Sequence, residues 1–382
     1  MADSNRAQLA YVEETSYGVG VTGTTLQILR YNRSDIKLTV DHEESEEIRT
    51  DRQLADIQPI RHNVGGGIDF ELSYLTHDDL FAAAQGASAW SSVQSVSGTT
   101  ISAASADNSF NDSGSGFGSI VANQWIKVSG FTTSANNGYF KVSTATSAKL
   151  VVTGGTLTTE AAGDSVTIQM GPQIVDGTTE TTFNFEEDFK DLTTTLSLFK
   201  GCGVSGFDLS MPAEGKVTGR FEVVGATEEE LTSSKGSGYV AATTNRIMYD
   251  THLQKVLEGG TSLTTHEWSI EYRQILNQQV DAGSAVPSGL TQGSISCKGR
   301  LTAYFTSTAL YTKFLNNTQT SLTVVFEDAA GNGILFDMPE VIFTDGGKII
   351  EGKDGDIMAD IEWTARADND ESIMCRIARF AA

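Results

Sequence analysis

The stretch GIDFELSY, residues 67–74, constrains the fold most. Ile68, Phe70, Leu72 and Tyr74 fall on one side of an extended chain, and Asp69, Glu71 and Ser73 fall on the other. Such alternation marks a half-buried β-strand, and it recurs. In KVTGRFEVVG, Val217, Phe221 and Val223 oppose Thr218, Arg220 and Glu222; in HEWSIEYR, Trp268, Ile270 and Tyr272 oppose Glu267, Ser269 and Glu271. A strand with one apolar and one acidic face must keep the second face wet. The 38 glycines against 5 prolines suit turns between many strands, so the chain reads as all-β.

Two short amphipathic helices are expected to flank these strands. THDDLFAAAQG offers Thr76 as N-cap and Gly86 as stop, and STALYTKFLNN offers Ser307 as N-cap, a stripe of Leu310, Phe314 and Leu315, and an exit at Asn316 and Asn317.

The text changes character along the chain. Up to about residue 87 it is charged and alternating, then it turns rich in Ser, Thr, Gly and Asn with few acids, and from 170 the acidic strand text resumes. A chain of 382 residues exceeds what one compact core usually serves. Residues 1–87 and 170–382 therefore read as two parts of one core, and residues 88–169 as a small inserted β-sandwich-like domain. WIKVSGF, GYFKVST, AKLVVTGG and SVTIQM would be its short strands, separated by turns such as NNG at 136–138. ADNSFNDSGSGFGS lacks the spacing of a calcium loop and reads as a flexible hairpin loop.

Charge excludes one class of function. With 26 basic and 49 acidic residues the chain carries a formal charge of −23, which opposes tight binding of a phosphate backbone. Like copies also repel at long range, so any assembly must rest on short-range contacts. The N-terminal MADSNRAQLAYVEE has neither a basic start nor an apolar core, and no apolar run nears the ~18 residues of a membrane span, so neither export nor membrane insertion is expected.

Motifs for chemistry are weak. GCGVSG at 201–206 fits the dinucleotide fingerprint literally, but strand text follows where a helix is required, so it reads as a turn. His42, His62, His77, His252 and His266 are scattered, with no G-x-S-x-G elbow and no H-E-x-x-H. KDGD at 353–356, with Glu351, Asp354 and Asp356, reads as a hairpin turn and not a cation site. Cys202, Cys297 and Cys375 lie far apart without CxxC spacing and read as buried thiols. No catalytic residue, cofactor or metal site is expected.

AYVEETSYGVG, the charged run ESEEIRTDRQLAD followed by GGGIDFELSY, GFDLSMPAEGKVTGRFEVVG, LYTKFLNNTQTSLTVVFEDAAGNG and PEVIFTDG with GDIMADIEW together resemble the tail tube proteins (major tail proteins) of long-tailed bacteriophages. The resemblance runs in order through residues 8–87 and 171–380, and QWIKVSGF with NNGYFKV looks like the extra β-domain that some members carry. It implies a two-sheet sandwich or opened barrel flanked by a helix. Six copies close into a ring whose strands join in one pore barrel, and rings stack into a tube.

It also implies a structural virion protein and no enzyme. The tube is an acidic-lined conduit for DNA in the virion tail, assembled in the host bacterial cytoplasm, and expected here to be flexible and non-contractile, as in a siphovirus. Implied partners are further copies of the chain, the tape-measure protein, the tail terminator and the distal-tail or baseplate proteins, while double-stranded DNA passes without specific binding. In this family the connector after the first long strand reaches neighbouring subunits. Here Glu43, Glu44, Glu46, Glu47, Arg49, Asp51 and Arg52 match it, and are expected to form an inter-subunit arm of ion pairs. Asp69, Glu71 and Glu222 are expected to face the lumen, with the insert outside, where host-surface glycans are the ligand it would meet. Two alternatives stand: a related ring protein, such as a tail terminator or distal-tail hub, and a surface β-sandwich adhesin, which would need an export signal.

Overall fold

The computed structural model describes residues 3–382 except 193, 245, 351 and 354. Its centre is an antiparallel sheet of eight strands, labelled in chain order: β1 (Lys37–Glu44), β2 (Ile57–Glu71), β3 (Leu196–Met211), β4 (Thr218–Gly225), β5 (Thr265–Gln279), β6 (Gly289–Tyr304), β7 (Gly333–Ile350) and β8 (Ile357–Ala365). In space they run β1-β2-β4-β3-β5-β6-β8-β7. The alternation seen in the sequence becomes the two faces of this sheet. Ile68, Phe70, Phe207, Phe221, Trp268, Tyr272, Leu301 and Trp363 are buried on one face.

Helix α1 (Asp78–Ala84) closes that face. Phe81 meets Phe207 and Phe221 edge-on at 5.0 Å, and Phe70 stacks on Phe221 at 4.5 Å. The helix begins one residue later than its sequence suggests. His77, not Thr76, stands at the N-cap position without a side-chain capping bond, because its ring is drawn inward to Arg30 O (3.2 Å) and Phe70. Gly86, at φ +63°, ends it. Helix α2 (Ala309–Leu315) likewise starts after Thr308, with Ser307 Oγ accepting the Ala309 N–H at 3.3 Å, and Asn317 leaves it at φ +51°.

β3 and β7 are long enough to serve two layers. The first half of β3 pairs with Thr182–Phe189 and Thr227–Leu231 before its second half enters the main sheet. GCGVSG lies at this changeover, inside a strand and not in a turn. Its glycines are there for close approach: a Cβ on Gly206 would stand 2.2 Å from Tyr272 O, and one on Gly203 2.7 Å from Leu290.

The first half of β7 pairs with Thr320–Glu327 and Arg376–Phe380 in a second layer over the core. Phe326 and Phe336 of this layer face Trp268 at 6.3 and 5.9 Å, so the two layers form a sandwich. Cys202, Cys297 and Cys375 are buried free thiols.

A separate antiparallel sheet is built from seven strands between Gln94 and Met170, around a core of its own that includes Phe110, Phe117, Ile126, Phe140, Leu150 and Ile168. ADNSFNDSGSGFGS supplies one of its strands, Ser109–Asp112, and a turn in which Asp112 accepts Thr100 Oγ1 and the N–H groups of Gly114 and Gly116. It is a held turn and not a loose loop.

This sheet sits on the outer side of the second layer. Alternate residues there divide their burial: Val324, Phe326, Phe336 and Ile377 point to the main core, while Val325, Leu335 and Ala378 pack against Trp125 and Tyr139. Polar contacts lock the junction. Tyr139 donates to Glu327 at 2.6 Å, and Lys141 pairs with the fully buried Asp337 at 3.1 Å. Arg376, 1% exposed, reaches Asp337 at 3.4 Å, Glu371 at 2.5 Å and Asn123 O at 2.8 Å.

Candidate functional site

Two surfaces hold the residues singled out by sequence. The first is the hairpin of β1 and β2, whose register runs from Lys37 opposite Gly65 to Glu44 opposite Ile57, with a slip at Asp41–His42. Beyond residue 40 it leaves the body of the protein. Glu43 and Glu44 lie on β1, and Glu46, Glu47, Arg49, Asp51 and Arg52 lie on the tip at 45–56, closed by Ser45 N–H to Asp56 O at 2.9 Å. The carboxylates of Glu43, Glu44 and Glu46 line one shallow groove with Asp56.

Within one chain the tip satisfies its own arginine. Arg49 donates to Asp51 through Nε (3.0 Å) and Nη2 (2.7 Å), with Glu47 at 3.8 Å, and this pairing holds the Asp51 carboxyl below the usual range. Arg52 makes no side-chain ion pair among the described residues, and its backbone is left-handed at φ +58°. The feature missed by charge-based reading is apolar. Ile48 is 100% exposed, and Leu54, Ile57 and Ile60 are each about half exposed. Four bare aliphatic side chains thus stand among the charges of a projecting hairpin.

The second surface is the polar face of the main sheet. The register sets Asp69, Arg220, Asp208, Glu271 and Lys298 side by side across β2, β4, β3, β5 and β6. An adjacent row holds Ser210, Ser269, Arg300 and Glu362. Asp69 and Glu222, expected to face the lumen, both bind Arg220, at 2.9 and 2.7 Å, and Asp35 joins them at 2.8 Å. Glu71 is paired with Lys216. Arg273 binds Asp208 at 2.6 Å, Lys298 lies 3.4 Å from Glu271, and Arg300 grips Asp360. The face therefore interleaves acids with cations that pair with them.

A shallow depression of about 410 Å³ lies on this face between Asp208, Glu271, Lys298, Arg300 and Glu362. Its walls hold neither a nucleophile with an adjacent base nor a convergent set of metal donors. No group of three or more His, Cys, Asp or Glu that could hold a metal occurs among the described residues. Of the KDGD loop, Glu351 and Asp354 lie outside the described residues, and Asp356 is exposed.

The family described as phage tail tube protein matches the sequence over residues 4–365. The chain belongs to this family. Among curated proteins no match is found. A tail tube protein is a structural component of the virion tail, so what must be explained is how its surfaces assemble and what they exclude. None of the described helices is long and apolar enough to cross a membrane. In this tail tube protein the arm and the polar face occupy different parts of one sheet, joined through β2: its first residues build the arm, and Asp69 and Glu71 near its end lie on the polar face.

Proposed function

We propose that the chain assembles into stacked hexameric rings, forming the tube through which DNA leaves a non-contractile tail. The observation that carries this reading is an eight-stranded sheet with two open lateral edges. Among the described residues, β1 pairs only with β2, and residues 342–350 of β7 pair only with β8. Exposed strand edges are an aggregation hazard unless another chain covers them, and a barrel shared between copies leaves no edge. In that closure the arm reaches an adjacent copy, where its bare Ile48, Leu54, Ile57 and Ile60 become buried and its charges pair across the interface.

The layer order gives the tube an inside and an outside. From one side to the other it runs polar face, main sheet, core, second layer, seven-stranded sheet. With the polar face inward, Asp69, Glu71 and Glu222 line the lumen and residues 88–169 form a decoration domain outside. The tape-measure protein occupies the lumen before DNA, and terminator and distal-tail proteins cap the ends.

Negative-stain electron microscopy of the purified protein, concentrated in moderate salt to screen its charge, tests this. Hollow tubes with outward knobs are expected. Isolated rings that never stack would replace it with a terminator or hub, and knobs projecting into the bore would reverse the layer assignment.

A further inference from the structure

On the polar face Arg220 is ringed by three carboxylates. We propose that Asp35, Asp69 and Glu222 are guard residues, which keep the Arg220 guanidinium from nucleic-acid phosphate; this rests on the reading of that face as the conduit wall. An exposed arginine there would be a trap, because a planar guanidinium binds phosphate in a bidentate way and each neutralised phosphate adds affinity by counterion release. Arg220 has three of its five N–H groups already engaged. Its Nη2 donates to Asp35 Oδ1 (2.8 Å), Nη1 to Asp69 Oδ1 (2.9 Å) and Nε to Glu222 Oε1 (2.7 Å), three nitrogens to three different carboxylates.

The enclosure is built from the backbone outward. Arg220 lies flat on Gly67, where a Cβ would stand 2.4 Å from its Cζ, so only glycine leaves room. The Gly67 N–H donates to the same Asp35 oxygen at 2.7 Å and pins that guard in place. The pairing with Arg220 holds Asp35 below the usual carboxyl range, so it stays ionised well into acid.

The cation has its own reason to be there. Asp69 and Asp208 lie on the two strands either side of Arg220, which separates their like charges, and Asp208 and Glu271, directly opposite each other about 5 Å apart, are bridged by Arg273 at 2.6 and 3.9 Å. The sheet requires positive charge on this face, and the conduit requires that it be neutralised. Surplus carboxylate meets both demands. Arg273 is held in a similar way by Asp208 and Glu271, whereas Lys298 and Arg300 each pair with one carboxylate, Glu271 and Asp360, and stay more than half exposed.

The test is fluorescence anisotropy of a short labelled DNA duplex against the full-length chain, kept dilute and unassembled, at low and high salt. The variant Asp35→Asn/Asp69→Asn/Glu222→Gln should bind about tenfold or more tighter than wild type at low salt, and lose the gain at high salt. Adding Arg220→Gln should abolish the gain. No gain in the triple variant, or a gain that survives Arg220→Gln, overturns the proposal. If the triple variant does not fold by circular dichroism, Glu222→Gln alone carries the comparison, since Glu222 is partly exposed and its loss leaves two guards.

The conduit reading fails separately. With Ser269→Cys in assembled tubes, a maleimide on a bulky polymer too large for the bore should not react, the native thiols being buried. Rapid labelling would place the face outside, whatever the DNA result.

Discussion

The arm and the second layer are built from the same element, paired antiparallel strands, and differ in what covers them. In the second layer, Phe336 and Leu335 are neighbours on one strand, and both are fully buried, one against the main core and the other against the seven-stranded sheet. On the arm, Ile57 and Ile60 stand about half exposed and Ile48 wholly so. Pairing alone does not decide whether apolar residues are covered. The second layer is completed within one chain, and the apolar residues of the arm are left uncovered by it; in the proposed ring another copy covers them. Substitutions should therefore separate folding from assembly.

The largest loss of folding stability is expected in the doubly covered layer. Phe336→Ala should cost about 3–5 kcal/mol, read as a lowered urea midpoint, through lost burial and the cavity left behind. Asp337→Ala should cost a similar amount, about 3–5 kcal/mol, since it strands Lys141 and the buried Arg376 without their shared carboxylate. It should also loosen the seven-stranded sheet from the body, seen as faster proteolysis near Asn123, whose carbonyl Arg376 holds. Were Asp337→Ala as stable as wild type, the junction would be packing alone.

A smaller, pH-dependent loss belongs to His77, which is enclosed beneath the main sheet. Burial pushes its pKa down to about 4, so the folded chain keeps it neutral while the unfolded chain takes up a proton near the ordinary value of about 6.5. The unfolded state therefore binds more protons in this window. Stability falls as pH drops from about 6.5 towards about 4, by up to about 1.4 kcal/mol per pH unit. Glu14, Asp176 and Glu187, whose carboxyl pKa values burial raises, act in the opposite sense. A comparison with His77→Gln cancels them. Wild type should lose stability more steeply than this variant across the window, and parallel curves would show His77 protonated in the fold.

The sequence revealed the faces of these strands well and their partners poorly. Val217, Phe221 and Val223 are buried and Arg220 and Glu222 are not, because period-two alternation is a local property of an extended chain. Two of the three partners of Arg220 are different in kind. Asp69 lies 151 residues away and Asp35 lies 185 away, so their meeting depends on register and strand order, which no local pattern encodes. The same limit explains GCGVSG. Glycines read locally suggest a turn, whereas Gly203 and Gly206 answer to side chains and backbone more than sixty residues on. The arm showed its charge because charge is visible in composition, and hid its apolar tip because exposure is a property of the fold.

The smallest effect on folding, and the sharpest on assembly, is expected at the arm. Reversing Glu46, Glu47, Arg49 and Arg52 together removes only exposed groups, whose one tight pairing, Arg49 with Asp51, is local to the loop. The isolated chain should keep its urea midpoint within about 0.5 kcal/mol, while tubes should no longer form under the electron microscope. Ile48→Ser divides the two contributions. It leaves every charge in place and removes a large apolar side chain that is fully exposed, so it should leave the fold untouched and raise the concentration needed for tubes. If Ile48→Ser forms tubes at the wild-type concentration and the charge reversal does not, the arm holds by ion pairs; if the reverse holds, its charges serve solubility and its apolar tip is the anchor. If both variants assemble normally, the arm is not an inter-subunit contact, and the open edges of β1 and β7 must close the ring without it.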